Sequence, residues 1–243
     1  MANIMKSSIS FSEWCESLLN NETWFVSITT NAQYKEIIRC QLIKEFSEIE
    51  LRKIDRKIIQ DYINRLKESG LSASRIASIL GVMNLVMEEA LCHRYITRNP
   101  CLNVNLPGKI RKRISVLNDD DIRKLMNEFH DHRYYPVIMI MLILGLRIGE
   151  ALGLCWDKVD LKNKEIEISR QYLSYYADGR NVNRLVDYTK NKKIRILPMP
   201  SLIYDLLSGM EKSGTFVFTE KGNPVRYDAF YYEFNKIMKQ IGR

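Results

Sequence analysis

Apolar residues recur at helical spacing through roughly the first hundred positions and turn to strand-like alternation only after residue 160. Tyr34, Ile38, Leu42 and Phe46 form one stripe, with Ile37 beside it. Asp55 stands where an N-cap belongs, before Ile58, Ile59, Tyr62, Ile63 and Leu66, and Gly70 stops that helix. Ser72 or Ser74 caps a third, whose stripe is Ile76, Leu80, Met83, Met87 and Ala90. Gly81 costs that helix about 1 kcal/mol against alanine. It could mark the turn of a helix-turn-helix reader, but the stripe runs unbroken through it, which favours one long helix. Asn99-Pro100 closes the region, and residues 105–113, NLPGKIRKR, read as a basic linker.

The second half opens with Asn118 or Asp119 as cap and Asp120 and Asp121 in the first turn, where acids suit the helix dipole. Ile122, Leu125, Met126 and Phe129 supply the apolar face. An almost wholly apolar helix follows, Val137 to Leu146, and runs into Arg147. It is too short to span a bilayer, which takes roughly 20 residues. Ile166 with Ile168, and Ile194 with Ile196, alternate with charges, and each pair predicts a strand. Between them lie a tyrosine-rich insertion, 172–188, and a basic tip, TKNKK (189–193). Phe216-Val217-Phe218 predicts a short strand before a turn at Gly222-Asn223-Pro224. Asp228 caps a last helix carrying Phe230, Phe234, Ile237 and Met238.

Charge divides the chain. Residues 1–108 hold 13 basic and 12 acidic side chains, whereas residues 109–243 hold 24 against 17. A basic half of this kind points to a polyanion, with nucleic acid ahead of a membrane surface. Five scattered cysteines form no CxxC pair, which argues against zinc and thioredoxin-type sites and fits a reducing cytoplasm. The first fourteen residues have no signal-peptide core.

Arg147 is the sharpest chemical feature. A guanidinium at the end of a buried helix is costly unless an anion meets it. Glu150, three residues on, compensates it in part. The planar donor fork still matches a phosphate.

These segments resemble the tyrosine recombinases, or phage-integrase family. GLRIGEALGLCWDKVDL (145–161) is similar to that family's arginine box, TKNKKIRILPMP (189–200) to the hairpin bearing its catalytic lysine, and residues 70–101 to the end of its helical core-binding domain. The resemblance implies an α-helical, SAM-like core-binding domain at 10–104, the linker at 105–113, and a mixed α+β catalytic domain at 114–243 that is incomplete at its C-terminus. It makes Arg147 the stabiliser of a phosphorane. Lys190 becomes the general acid to the departing oxygen. Glu150 is a supporting residue. Lys109, Arg111, Lys112, Arg113, Lys192, Lys193 and Arg195 are expected on phosphates. The partner implied is double-stranded DNA, with no metal, cofactor or membrane, and a cytoplasmic monomer that joins full-length protomers on DNA.

The family's reaction also needs a tyrosine nucleophile and a second arginine in an HxxR box, both after the lysine. No histidine follows Lys190. His130-Asp131-His132-Arg133 mimics the box but precedes Arg147, and Tyr227, Tyr231 and Tyr232 lie outside the nucleophile's context. The expectation is a DNA-binding chain that cannot recombine DNA alone. Its rivals are a non-cutting regulator at recombination sites and a repressor-like helix-turn-helix protein.

Overall fold

The computed structural model describes residues 8–20, 27–108, 116–177, 179–190 and 193–243. The chain divides into two compact units that part near residue 112.

The first unit is helical: α1 (Phe11–Leu19), α2 (Ile28–Ile37), α3 (Ile43–Phe46), α4 (Arg56–Glu68) and α5 (Ala73–Cys92). Each start has a local cause. Ser10 and Glu13 cap α1 reciprocally, Ser10 N–H donating to Glu13 Oε2 (2.9 Å) and Glu13 N–H to Ser10 Oγ (3.2 Å). Asp55 Oδ1 accepts from Ile58 N–H (2.9 Å), and Ser72 Oγ, not Ser74, accepts from Arg75 N–H (3.2 Å). A π-helical turn, Ile38–Leu42, joins α2 to α3. The wider turn lets the consecutive Ile37 and Ile38 both face the core, along with Leu42 and Phe46. α5 runs unbroken through Gly81, as its stripe predicts, so the helix-turn-helix alternative has no turn to rest on.

Rings of Phe11, Phe46 and Tyr62 meet in sequence at 5.5 and 5.1 Å in the centre of this unit. Trp14 Nε1 donates to Val86 O (3.0 Å), which satisfies its one polar atom inside the core. The Asn-Pro at the end of the unit has a structural meaning. Asn99 is buried, donates to Asn84 Oδ1 on α5 (2.9 Å) and accepts from Cys101 N–H (2.9 Å). It folds the chain that leaves α5 back onto that helix.

The second unit mixes helices and small sheets: α6 (Asp119–Glu128), α7 (Tyr135–Leu144), α8 (Ile148–Leu152), β1 (Val159–Asp160), β2 (Glu165–Ile168), β3 (Gln171–Ala177), β4 (Arg180–Val186), β5 (Arg195–Pro198), α9 (Ser201–Ser208), β6 (Thr219–Glu220), β7 (Asn223–Pro224) and α10 (Tyr227–Gln240). Asn118, rather than Asp119, caps α6 in a reciprocal pair with Asp121. α7 carries Pro136 in its first turn and packs against α8 and α9. β1, β2 and β5 make one antiparallel sheet in that order, and β3 with β4 makes a second. The tyrosine-rich insertion is therefore largely this β3–β4 ribbon, turning at Gly179 (φ 79°). Ile166, Ile168, Leu152, Leu154, Ile203, Leu207, Phe230 and Ile237 share the core.

The alternation at Ile194 and Ile196 leaves open which face is inward, and other sequence expectations need correction. Ile194 and Ile196 do not face the core; they are 68% and 62% exposed. The register decides this. Ile166 pairs with Leu197 and Ile168 with Arg195, and residues opposite one another across the ladder share a face. Ile166 and Ile168 hold the core side, so Leu197 and Arg195 turn inward and the isoleucines turn out. Residues 216–218 form no strand. Phe216 makes a single bridge to Cys155, with Trp156 N–H on Thr215 O and Val217 N–H on Leu154 O (both 2.9 Å). The strand starts at Thr219 and turns through Lys221 and Gly222, both at positive φ. Arg226, not Asp228, is the N-cap of α10; Asp228 lies in the first turn and pairs with the Arg226 guanidinium (Nε to Oδ1, 3.0 Å).

Candidate functional site

The arginine box is built by a helix break. α7 ends at Gly145, whose left-handed backbone (φ 63°) an L-residue rarely adopts. Leu146 then drops into the core, and Arg147 takes an extended backbone (φ −70°, ψ 152°) as N-cap of α8. Arg147 thus begins the second helix and does not end the buried one, which puts its side chain at a helix N-terminus instead of inside apolar packing. α8 is pressed onto the start of β3. A Cβ at Gly149 would lie 2.9 Å from Tyr172 O, and one at Gly153 would lie 2.7 Å from Tyr172 N and 2.8 Å from the Gln171 carbonyl carbon. Only glycine permits that approach.

Glu150 sits at the centre, 1% exposed. Its Oε1 accepts from Arg147 Nη1 (2.8 Å). Its Oε2 accepts from the Arg147 backbone N–H (3.1 Å) and from Arg195 Nη2 (2.7 Å). A buried carboxylate needs such partners, because desolvation penalises its charge. One carboxylate therefore joins two guanidiniums, with Arg147 51% and Arg195 38% exposed. The cluster carries a net positive charge toward solvent, which is what an anion would meet there.

Lys190 is exposed, in the segment between β4 and β5. That segment is not the tip of a β4–β5 hairpin, since β4 pairs with β3 and β5 with β2. It connects two sheets. Its root is fixed on both sides: buried Thr189 donates through Oγ1 to Lys193 O (3.0 Å). Asp187 accepts from Arg170 Nε (2.8 Å), and Arg170 Nη1 also holds both Asp157 oxygens (3.0 Å each). Arg170 so ties the end of the arginine box to the start of the lysine segment, a role that sequence reading missed. Its signal was only a charge among charges.

Of the predicted residues, then, the structure gathers Arg147, Glu150 and Arg195 on one carboxylate. It leaves Lys190 and Lys193 exposed five and two positions before Arg195. Lys109, Arg111, Lys112, Arg113 and Lys192 lie outside the described residues. The HxxR mimic is structural packing. Tyr134 N–H donates to His132 Nδ1 (3.2 Å), burial holds His132 below the usual histidine range, and Arg133 lies over the Tyr134 ring (4.6 Å). Tyr227 stacks on Tyr231 (6.2 Å), and Tyr232 is 70% exposed. Among the described residues no group of three His, Cys, Asp or Glu side chains is placed to hold a metal, and no helix is long and apolar enough to cross a membrane.

Residues 10–67 match the phage integrase N-terminal SAM-like domain. The chain is similar to a "Tyrosine recombinase XerC-like" protein of Caldanaerobacter subterraneus subsp. tengcongensis, 26% identical over 76% of this chain and 54% of the relative. It is also similar to the "ICEBs1 integrase" of Bacillus subtilis (strain 168), 24% identical over 82% of this chain and 54% of the relative. The chain thus spans about half the length of these curated relatives. Among solved structures, its fold matches a Tn1549 transposon integrase in complex with circular intermediate DNA (TM-score 0.76, 18% identity, 96% of this chain and 78% of that one). It also matches a lambda integrase dimer bound to a COC′ core site (TM-score 0.77, 15% identity, 98% and 65%). Residues 115–243, more than half the chain, match the phage integrase family itself, and the chain belongs to that family.

Proposed function

We propose that this chain binds duplex DNA as part of a site-specific tyrosine recombinase, with the Arg147 cluster facing a backbone phosphate. The observation that carries this is a half-exposed guanidinium held from beneath by a buried carboxylate, inside the segment that matches the family. Preorganised donors of this kind stabilise charge that develops on a phosphoryl group, because they need no rearrangement when it forms. Lys190 is the proposed general acid to the leaving oxygen. Lys193 adds a phosphate contact, as do Lys192 and the basic residues Lys109, Arg111, Lys112 and Arg113. In this reading residues 10–104 are the core-binding half, 105–113 the linker, and 114–243 the part that carries the arginine and lysine. The solved integrases of similar fold that are bound to DNA support the partner class.

The 243 residues alone hold no histidine after Lys190, and none of the tyrosines of α10 stands in a nucleophile's setting. We therefore propose that they bind without completing strand transfer, since a covalent intermediate needs its nucleophile and a full charge clamp.

Two measurements test this. Binding to a duplex of about 30 base pairs should weaken steeply with salt, as neutralised phosphates release counterions; a flat response overturns DNA binding. Incubation with a nicked suicide duplex should give no covalent adduct; an adduct overturns the second claim and leaves the first.

A further inference from the structure

We propose that Arg195 is a positioning residue: as the second counter-ion of Glu150, it keeps the Arg147 guanidinium from closing on that carboxylate and so leaves its fork free for a phosphate. The proposal rests on the reading of the site given above. Arginine and carboxylate frequently pair through two parallel hydrogen bonds. Arg147 does not do so. It gives Glu150 Oε1 one nitrogen, Nη1, while Oε2 is taken by the Arg147 backbone N–H and by Arg195 Nη2. The oxygen that would complete a bidentate pair is occupied by the Arg147 backbone N–H and, from another strand, by Arg195. The charge follows the same logic. Glu150 with Arg147 alone is a neutral pair, whereas Glu150 with both arginines keeps one positive charge at a half-exposed site.

The fold makes this arrangement specific. Arg195 reaches Glu150 only because the β2–β5 register sets it opposite Ile168, on the inner face. It is also five residues past Lys190, so the strand that carries the counter-ion begins where the lysine segment ends.

Salt titrations of duplex binding by the 243-residue chain test the idea. Arg195→Gln should weaken binding roughly tenfold at moderate salt, as a charge-assisted contact is lost, and lower the salt slope by about one phosphate equivalent. Glu150→Gln combined with Arg195→Gln should recover the slope, because a neutral amide no longer claims Arg147. An unrecovered slope means that Arg195 grips phosphate itself and overturns the proposal, as does wild-type binding by Arg195→Gln. Should Arg195→Gln fail to fold, Glu150→Gln with and without Arg195→Gln is the deciding pair: equal slopes support action through Glu150, and a fall on removing Arg195 overturns it.

A DNA-free readout separates the two levels. The Arg147 Nε–Hε NMR signal should move with added inorganic pyrophosphate in the wild type, stay fixed in Arg195→Gln and move again in the double variant. That pattern in a chain that ignores duplex DNA defeats the DNA reading and supports the counter-ion role. A pyrophosphate response unaffected by Arg195, or no response in the wild type, overturns the counter-ion role.

Discussion

The helical and mixed units treat glycine and buried polarity in opposite ways. In the helical unit Gly81 lies mid-helix in α5, and a Cβ there would meet nothing within 4 Å. In the mixed unit Gly153 has the Tyr172 and Gln171 backbone within 3 Å of such an atom. The buried polar side chain that closes the helical unit is the neutral Asn99, bonded to Cys101 two residues on and to Asn84 fifteen residues back. At the heart of the mixed unit is the charged Glu150, one of whose partners comes from 45 residues away. A bundle of amphipathic helices is stabilised mainly by apolar faces and tolerates local imperfection. The mixed unit has an apolar core of its own, and beside its positive cluster the close approaches at Gly149 and Gly153 leave no room for an added atom.

Substitutions can break this contrast or sharpen it. The largest effect should come from Gly153→Ala, expected to destabilise the chain by about 3 kcal/mol in denaturant titration, because backbone and not a flexible side chain must move. A loss below 1 kcal/mol would show that α8 and β3 can part easily. Glu150→Ala should cost roughly 2 kcal/mol, less than for a wholly buried pair because both guanidiniums keep water; unchanged stability would remove the buried acid from the account of this unit. Gly81→Ala should go the other way and raise stability by about 1 kcal/mol, since it adds helix propensity in open space; a lower melting temperature would mean that α5 needs its glycine.

The smallest effect concerns acid. The Asp121 carboxyl is held below its usual range by Arg243 (Nε to Oδ2, 2.8 Å) and by the Asn118 N–H. With its native pKa lowered, its contribution is complete above the ordinary aspartate range and fades as pH falls through the native value. Thermal melts from pH 6 downward should show Asp121→Asn less stable than wild type at the upper end, the two converging in acid. A constant gap would break the link.

Much of the fold was legible because its causes are local. Caps at Asp55, Ser72 and Asn118 and the stripes of α4 and α5 depend on neighbours within a turn or two. The arginine box was legible as a motif, and so was the 147–150 pair at helical spacing. What could not be read were matters of register and approach. Ile194 and Ile196 carried a strand signature and lie outside; alternation says that two faces differ but not which one is inward. Arg170 looked like any surface arginine and joins two acids thirty residues apart. The glycines of GEALG carried a spacing whose meaning appears only once β3 lies against them.

The sequence by itself determined the starts of α4, α5 and α6, that a basic half follows a nearly neutral one, and that a phosphate-matched guanidinium follows a buried helix. These rest on short-range sterics, capping and composition. Only the tertiary structure decided that Glu150 is shared between Arg147 and Arg195, because that depends on how β5 is registered against β2, and pairing between distant strands is settled by which face the whole core buries.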